Sequence, residues 1–215
     1  MLQIWRLRVA NSWLMAQDGE GCAGAGVDAA RTDPSMWMRT LSDLPCTSFG
    51  ERRLVDITLP GSHDAGAFWL EDRAASCGAR CHACALAPSY ARRWGLAQGG
   101  DILSQLRNGV RFLDLRLTVD DAVAGCDEVS NVTGACWKVH HCLLGVPVAN
   151  VTADLRRFLE DDEQDAQRQG ELVIVRAKLQ YFETTYYFSG SDRALTRARL
   201  EALRAALEEE LLPFL

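Results

Sequence analysis

The chain has 215 residues, enough for a full core, and its apolar and charged shares are those of an ordinary globular protein. A net charge of −6 leaves no basic footprint, so nucleic acid is excluded as an expected partner. No apolar run approaches the ~20 residues that cross a bilayer, so any membrane contact is expected to be peripheral.

The N-terminal stretch to about Ala23 carries Trp5, Trp13, Leu14 and Met15 among polar residues. An export signal needs a basic start, an apolar run of ~7–15 residues and a small-residue cleavage site. Here Arg6 and Arg8 interrupt the apolar residues, so the test fails. Gly19 to Gly26 reads as a flexible joint, and residues 1–35 are expected to be poorly structured, with the folded domain at 36–215. Leu54 to Thr58 alternates like a strand and runs into the turn Leu59-Pro60-Gly61-Ser62-His63-Asp64-Ala65-Gly66. An imidazole and a carboxylate presented on a glycine-rich loop after a strand are placed where α/β barrels keep their chemistry. The same two side chains could merely cap the next segment. The strand ends that follow decide between these readings.

Eight cysteines are many for a reduced compartment. Cys77, Cys81 and Cys84 share a loop with His82, and Cys126 and Cys136 bracket another. Asn131-Val132-Thr133 and Asn150-Val151-Thr152 are glycosylation sequons. Together these features point to disulfides, glycosylation and a secreted or secretory-lumen setting. Zinc at Cys77, Cys81, His82 and Cys84 is the alternative, ranked lower for want of a second ligand pair at finger-like spacing.

Asp101 to Arg107 reads as a short helix stopped by Asn108-Gly109. Val110 to Leu117 alternates as a strand, with Arg111 in phase with Leu113 and Leu115 and with Asp114 and Arg116 on the other face. Trp137 to Leu144 reads as a third strand bearing His140 and His141. Val151 to Glu160 has helical period, and the acidic stretch Asp161 to Gly170 reads as a solvated loop. Glu171 to Lys178 has the continuous apolar middle of a buried parallel strand, and Ser191 to Leu212 is an amphipathic helix. Alternating strands and helices argue for βα units on a parallel sheet. Polar groups then gather at four strand ends: His63 and Asp64, Asp114 and Arg116, His140 and His141, and Lys178. That set suits phosphate chemistry.

Leu59 to Gly66, Gln105 to Arg116, His140-His141 and Glu171 to Lys178 resemble successive blocks of the phosphatidylinositol-specific phospholipase C X domain. The likeness covers about Trp37 to Leu215, and departs from the family's His-His-Gly pattern at Cys142. It implies an α/β, TIM-barrel-like fold of which this chain holds about four βα units, the N-terminal portion of a barrel. A missing C-terminal half, or a second chain supplying it, is accordingly expected.

The resemblance also implies a mechanism. His63 would be the general base toward the inositol 2-hydroxyl, and His141 the general acid toward the leaving diacylglycerol oxygen, with His140 as rival for that role. Arg116 would hold the phosphate and Asp64 would orient Arg116 or the attacking hydroxyl. Lys178, Asp114 and His140 would contact substrate. Imidazole suits both proton-transfer roles because both its protonation states are accessible near neutrality. Arg116 and Lys178 stand where the calcium-dependent branch has carboxylates, so no metal and no cofactor are expected. The substrate would be phosphatidylinositol or a glycosylated form of it at a membrane surface. The competing reading is a catalytically inactive phospholipid- or phosphate-binding module. A metal-dependent glycerophosphodiesterase is disfavoured, because it would need carboxylates at Arg116 and Lys178.

Overall fold

This computed structural model describes residues 4–8, 33–44, 47–75, 84, 86–120, 122–123, 136–164, 170–179, 201–205, 207–208 and 211. Cys77, Cys81, His82, Cys126 and Asn131 lie outside the described residues.

The strands are β1 (Ile4–Arg8), β2 (Gly61–Ser62), β3 (Leu70–Ala74), β4 (Phe112–Val119), β5 (Trp137–His141), β6 (Leu143–Pro147) and β7 (Leu172–Leu179). The helices are α1 (Trp37–Asp43), α2 (Pro88–Gly95), α3 (Ile102–Arg107) and α4 (Val148–Gln164). The strands form one mixed sheet in the order β1-β7-β4-β5-β6-β3, with β2 pairing to β4 off that path. The α/β architecture is as the sequence implies, but among the described strands only β2, β4 and β7 run parallel.

Four segments differ from the sequence reading. Leu54–Asp56 is a 3-10 turn, not a strand; Val55 is left exposed, and Arg53 closes on Asp56 at 2.8 Å. Alternation there had no second layer to bury against. Trp137 to Leu144 is not one strand but the β5–β6 hairpin, turned at Cys142, whose φ is +68°. Helix α4 continues through Gln164, into the acidic stretch read as loop. Ile4–Arg8, inside the segment read as poorly structured, pair antiparallel with β7.

The core lies between the sheet and helices α3 and α4. Ile102 and Leu106 of α3, Leu113 of β4, and Leu155 and Leu159 of α4 are all buried to within 1%. This is the stripe that the Leu155, Phe158 and Leu159 periodicity foretold. Residues 201–205 are helical, and Leu203 and Leu211 join the core as their amphipathic spacing requires.

Helix α3 starts where Asp101 accepts a bond from the Ser104 amide at 2.7 Å, and it ends at Gly109 with φ +95°. At its other end Arg111 sits wholly inside, bonded to Glu171 at 2.7 Å and stacked 4.9 Å from the Phe158 ring centre. On the far side of the sheet, Arg73 grips buried Asp120 at 2.7 Å, holding its carboxyl at about 2, while Lys138 bonds Glu71. That network ties β3 and β5 to the end of β4.

Candidate active site

A fork in the sheet makes the site. One edge of β4 is lined by β7 along its length, but its other edge is shared. β2 pairs only with Phe112 and Leu113, and β5 only with Leu117 to Val119. Between them Asp114 to Arg116 have no strand on that side. Because β2 is parallel and β5 antiparallel to β4, both deliver their C-terminal residues into this gap. His63 and Asp64 arrive from one direction and His141 from the other.

The loop after β2 is clamped rather than loose. Buried Gln105 accepts from the Ser62 hydroxyl at 2.6 Å and donates to the carbonyls of Ala65 and Gly100, each at 2.8 Å. Gln98 donates to the His63 carbonyl at 2.7 Å, and the Ala65 amide reaches the Asp114 carbonyl at 2.9 Å. Asp64 adopts the left-handed conformation, φ +49°, which Asp tolerates better than most residues. Gly66 is required for space, since a Cβ there would stand 2.6 Å from the Val139 side chain.

Asp64 is the hub. One of its oxygens, Oδ2, lies 3.0 Å from His63 Nδ1 and 3.4 Å from His141 Nε2, while Oδ1 is 3.2 Å from Arg116 Nε. Asp114 Oδ2 is 3.0 Å from Arg116 Nη2, and that same nitrogen stands 3.3 Å from His63 Nε2. Both carboxylates are about 5% exposed, whereas His63 is 73% and His141 41% exposed. Asp64 Oδ1 and Asp114 Oδ1 are buried and have no hydrogen-bond donor among the described residues.

Partner chemistry assigns the ring protons. A carboxylate only accepts and a guanidinium only donates. His63 therefore carries its proton on Nδ1, toward Asp64, and turns the lone pair of Nε2 to Arg116. His141 meets the Gly95 carbonyl at Nδ1, 2.7 Å away, and Asp64 at Nε2. Both its nitrogens face acceptors. The pair thus divides into a proton acceptor and a proton donor.

Gly95 ends α2 and is a glycine for contact reasons. A Cβ there would come within 2.8 Å of the Leu70 side chain and 3.2 Å of the His141 carbonyl. The segment just before α2 is also joined covalently to the hairpin, by the Cys84–Cys142 disulfide with Cα atoms 6.2 Å apart. Cys84 is therefore no thiolate ligand, which breaks up the zinc set considered for that loop. Cys136 is disulfide-bonded as well, and Asn150 is exposed on α4.

His140 stands apart from its neighbour. It is 5% exposed, and neither ring nitrogen has a hydrogen-bond partner among the described residues. Burial, then the charges of His141 and Arg116, push its pKa down to about 4. Lys178 is the Cα partner of Arg116 across β4 and β7, and Arg176 that of Asp114. Arg176, Gln98, Gln105 and the Gly95 carbonyl were not singled out from sequence. Arg176 alone carried a signal, being in phase with Lys178 on one strand. The His63, Asp64 and Asp114 donor atoms lie within 4.8 Å of one another, a spacing a cation could use. Arg116 already spans both carboxylates there, supplying positive charge where an ion would sit.

Two imidazoles, a guanidinium and two carboxylates thus meet at a fork in the sheet of an α/β domain. A scan against protein-family models found no match. Curated relatives do match. The chain is 28% identical over 134 residues to the 1-phosphatidylinositol phosphodiesterase of Staphylococcus aureus strain Newman, covering 62% of this chain and 30% of that protein. It is 27% identical over 111 residues to a PI-PLC X domain-containing protein of Dictyostelium discoideum (52% and 17%). It is 26% identical over 140 residues to the variant-surface-glycoprotein phospholipase C of Trypanosoma cruzi (60% and 33%). The chain is related to the phosphatidylinositol-specific phospholipase C X-domain proteins, and spans about a third or less of the length of these curated relatives. A solved structure of the S. aureus phospholipase C aligns at a TM-score of 0.36 and 24% identity, over 60% of this chain and 32% of that one.

Proposed function

We propose that this chain cleaves the phosphodiester of inositol phospholipids by metal-independent acid–base catalysis. The observation that carries this reading is the placing of two histidines against Asp64, with His63 Nε2 beside the Arg116 guanidinium and both His141 nitrogens beside acceptors. His63 Nε2, its lone pair free of a proton, takes the proton of the inositol 2-hydroxyl as that oxygen attacks phosphorus in line. The bond from phosphorus to the diacylglycerol oxygen breaks, and His141 Nε2 delivers a proton to the leaving oxygen. The product is a cyclic inositol phosphodiester. Arg116 meets the charge that develops on the phosphoryl oxygens, and Asp64 holds both imidazoles and the guanidinium in register. Asp114 and Lys178 contact the substrate, and the acid role falls to His141 because buried His140 is held neutral. The likeness to the S. aureus 1-phosphatidylinositol phosphodiesterase and the T. cruzi phospholipase C supports phosphodiester cleavage.

A lipid surface is the expected partner. Leu86, Tyr90 and Trp94 recur at a spacing of four and are left exposed, Leu86 at 86% and Trp94 at 75%. Trp94 adjoins Gly95, so a helix lying on a bilayer would bring the His141 side of the site to the headgroups. With a net charge of −6, binding would rest on apolar contact more than on attraction to anionic lipid. No described helix is long and apolar enough to cross a membrane. The disulfides support an oxidising compartment.

The test is turnover of phosphatidylinositol vesicles in excess EDTA, followed by phosphorus NMR. A cyclic phosphodiester is expected from the wild type and none from His63→Ala. Folded protein that binds the vesicles without releasing product would instead be the non-catalytic lipid-binding module.

A further inference from the structure

We propose that Arg176 is a second phosphate-holding residue, acting beside Arg116 on the scissile phosphodiester. The inference rests on the phosphodiesterase reading above and goes beyond it, to a residue that the family blocks do not single out.

Register puts Arg176 there. On β4 and β7 the Cα partners are Asp114 with Arg176 and Arg116 with Lys178. Positions two apart on a strand share a face, so all four lie on the face that carries the site. Arg176 Nε is 3.7 Å from Asp114 Oδ1, beyond hydrogen-bond length, and it has no hydrogen-bond partner among the described residues. The guanidinium is about one-third exposed.

Charge supports it. Arg116 is shared by two buried carboxylates, so Asp64, Asp114 and Arg116 together carry one net negative charge. A phosphodiester monoanion would be repelled by that trio alone. Lys178, Arg176 and a protonated His141 each add one positive charge on the side the diester would occupy. Arg116, Arg176, Asp114 and Asp64 all act on Lys178. Burial, reinforced by the two arginines, holds Lys178 below the usual ammonium range, as expected where cations outnumber carboxylates. Two guanidiniums flanking Asp114 can each take one non-bridging oxygen.

The experiment is calorimetric titration of the wild type, Arg176→Gln and Arg176→Lys with inositol 1,2-cyclic phosphate, inorganic phosphate and uncharged inositol. Melting curves check that each variant is folded. Arg176→Gln is expected to weaken the cyclic phosphate about 10- to 100-fold, the range of a charged hydrogen bond, while leaving inositol unchanged. Arg176→Lys is expected to recover part of that loss. If both anions lose affinity equally and inositol adds nothing, the anion site stands and the inositol-lipid reading falls. Unchanged anion affinity in Arg176→Gln, or no anion binding by the wild type, would overturn the proposal. Phosphatidylinositol turnover by that same wild type would leave the phosphodiesterase reading standing.

Discussion

Arg111 and Arg116 belong to the same stretch of chain, one just before β4 and the other within it, and the fold uses them in opposite ways. Arg111 is fully buried, and each of the five N–H donors of a guanidinium meets an acceptor. Those acceptors are Glu171, the carbonyls of Leu106 and Val110, and the Ser35 carbonyl. Arg116 is 23% exposed, and its partners are two carboxylates and an imidazole that themselves keep unused capacity. A saturated cation locks elements together. An unsaturated one, facing water at a fork in a sheet, can take a ligand.

Paired substitutions separate the two roles. Arg111→Met would strand the Glu171 carboxylate and three carbonyls in the interior, costing about 3–5 kcal/mol of stability in urea or thermal unfolding. Arg116→Lys, which keeps a cation beside buried Asp64 and Asp114, should leave the unfolding midpoint near that of the wild type while turnover falls about 10²-fold, because an ammonium cannot reproduce the guanidinium fork. Equal stability losses in the two variants would erase the distinction.

His140 sharpens the comparison from the interior side. Its folded pKa of about 4 lies below the ordinary 6.5, so the unfolded chain binds the extra proton first on acidification. Its contribution is complete above about pH 6.5 and is lost as pH falls toward 4, about 3 kcal/mol in all. Chemical denaturation of His140→Leu across that range should show a flatter pH dependence than the wild type. A slope unchanged by the substitution would show that another group titrates.

A smaller effect is expected at the hairpin. The double substitution Cys84→Ser with Cys142→Gly opens a loop of sequence separation 58, a loss of about 2–4 kcal/mol. Glycine at φ +68° relieves roughly 1 kcal/mol of backbone strain, leaving a net loss of about 2 kcal/mol by denaturation. If turnover drops further than this stability loss explains, the disulfide also positions His141.

Much of this was legible in the residues. Alternation placed Asp114 and Arg116 on one face of a strand, and the structure has them together against Asp64. The Asn108-Gly109 stop ended α3 at Arg107 as read, and the helix begins one residue later than read, with Asp101 as its cap. The Leu155, Phe158 and Leu159 stripe faces the core. The hairpin was missed because β5 and β6 are both apolar and only Cys142, a residue with no turn propensity, separates them. Gln105 and Gln98 were missed because an amide that clamps a loop from a distant helix or turn leaves no periodic trace.

Local chemistry along the chain determined which residues could do acid–base work on a phosphate, because residue type and strand phase are local properties. Only the tertiary structure decided that β2 and β5 reach β4 from opposite directions and leave a gap between them. Strand direction depends on pairings between distant segments, which no short window of sequence contains. The division of the two histidines into acceptor and donor was decided there as well. It depends on which partner each ring nitrogen meets across the gap.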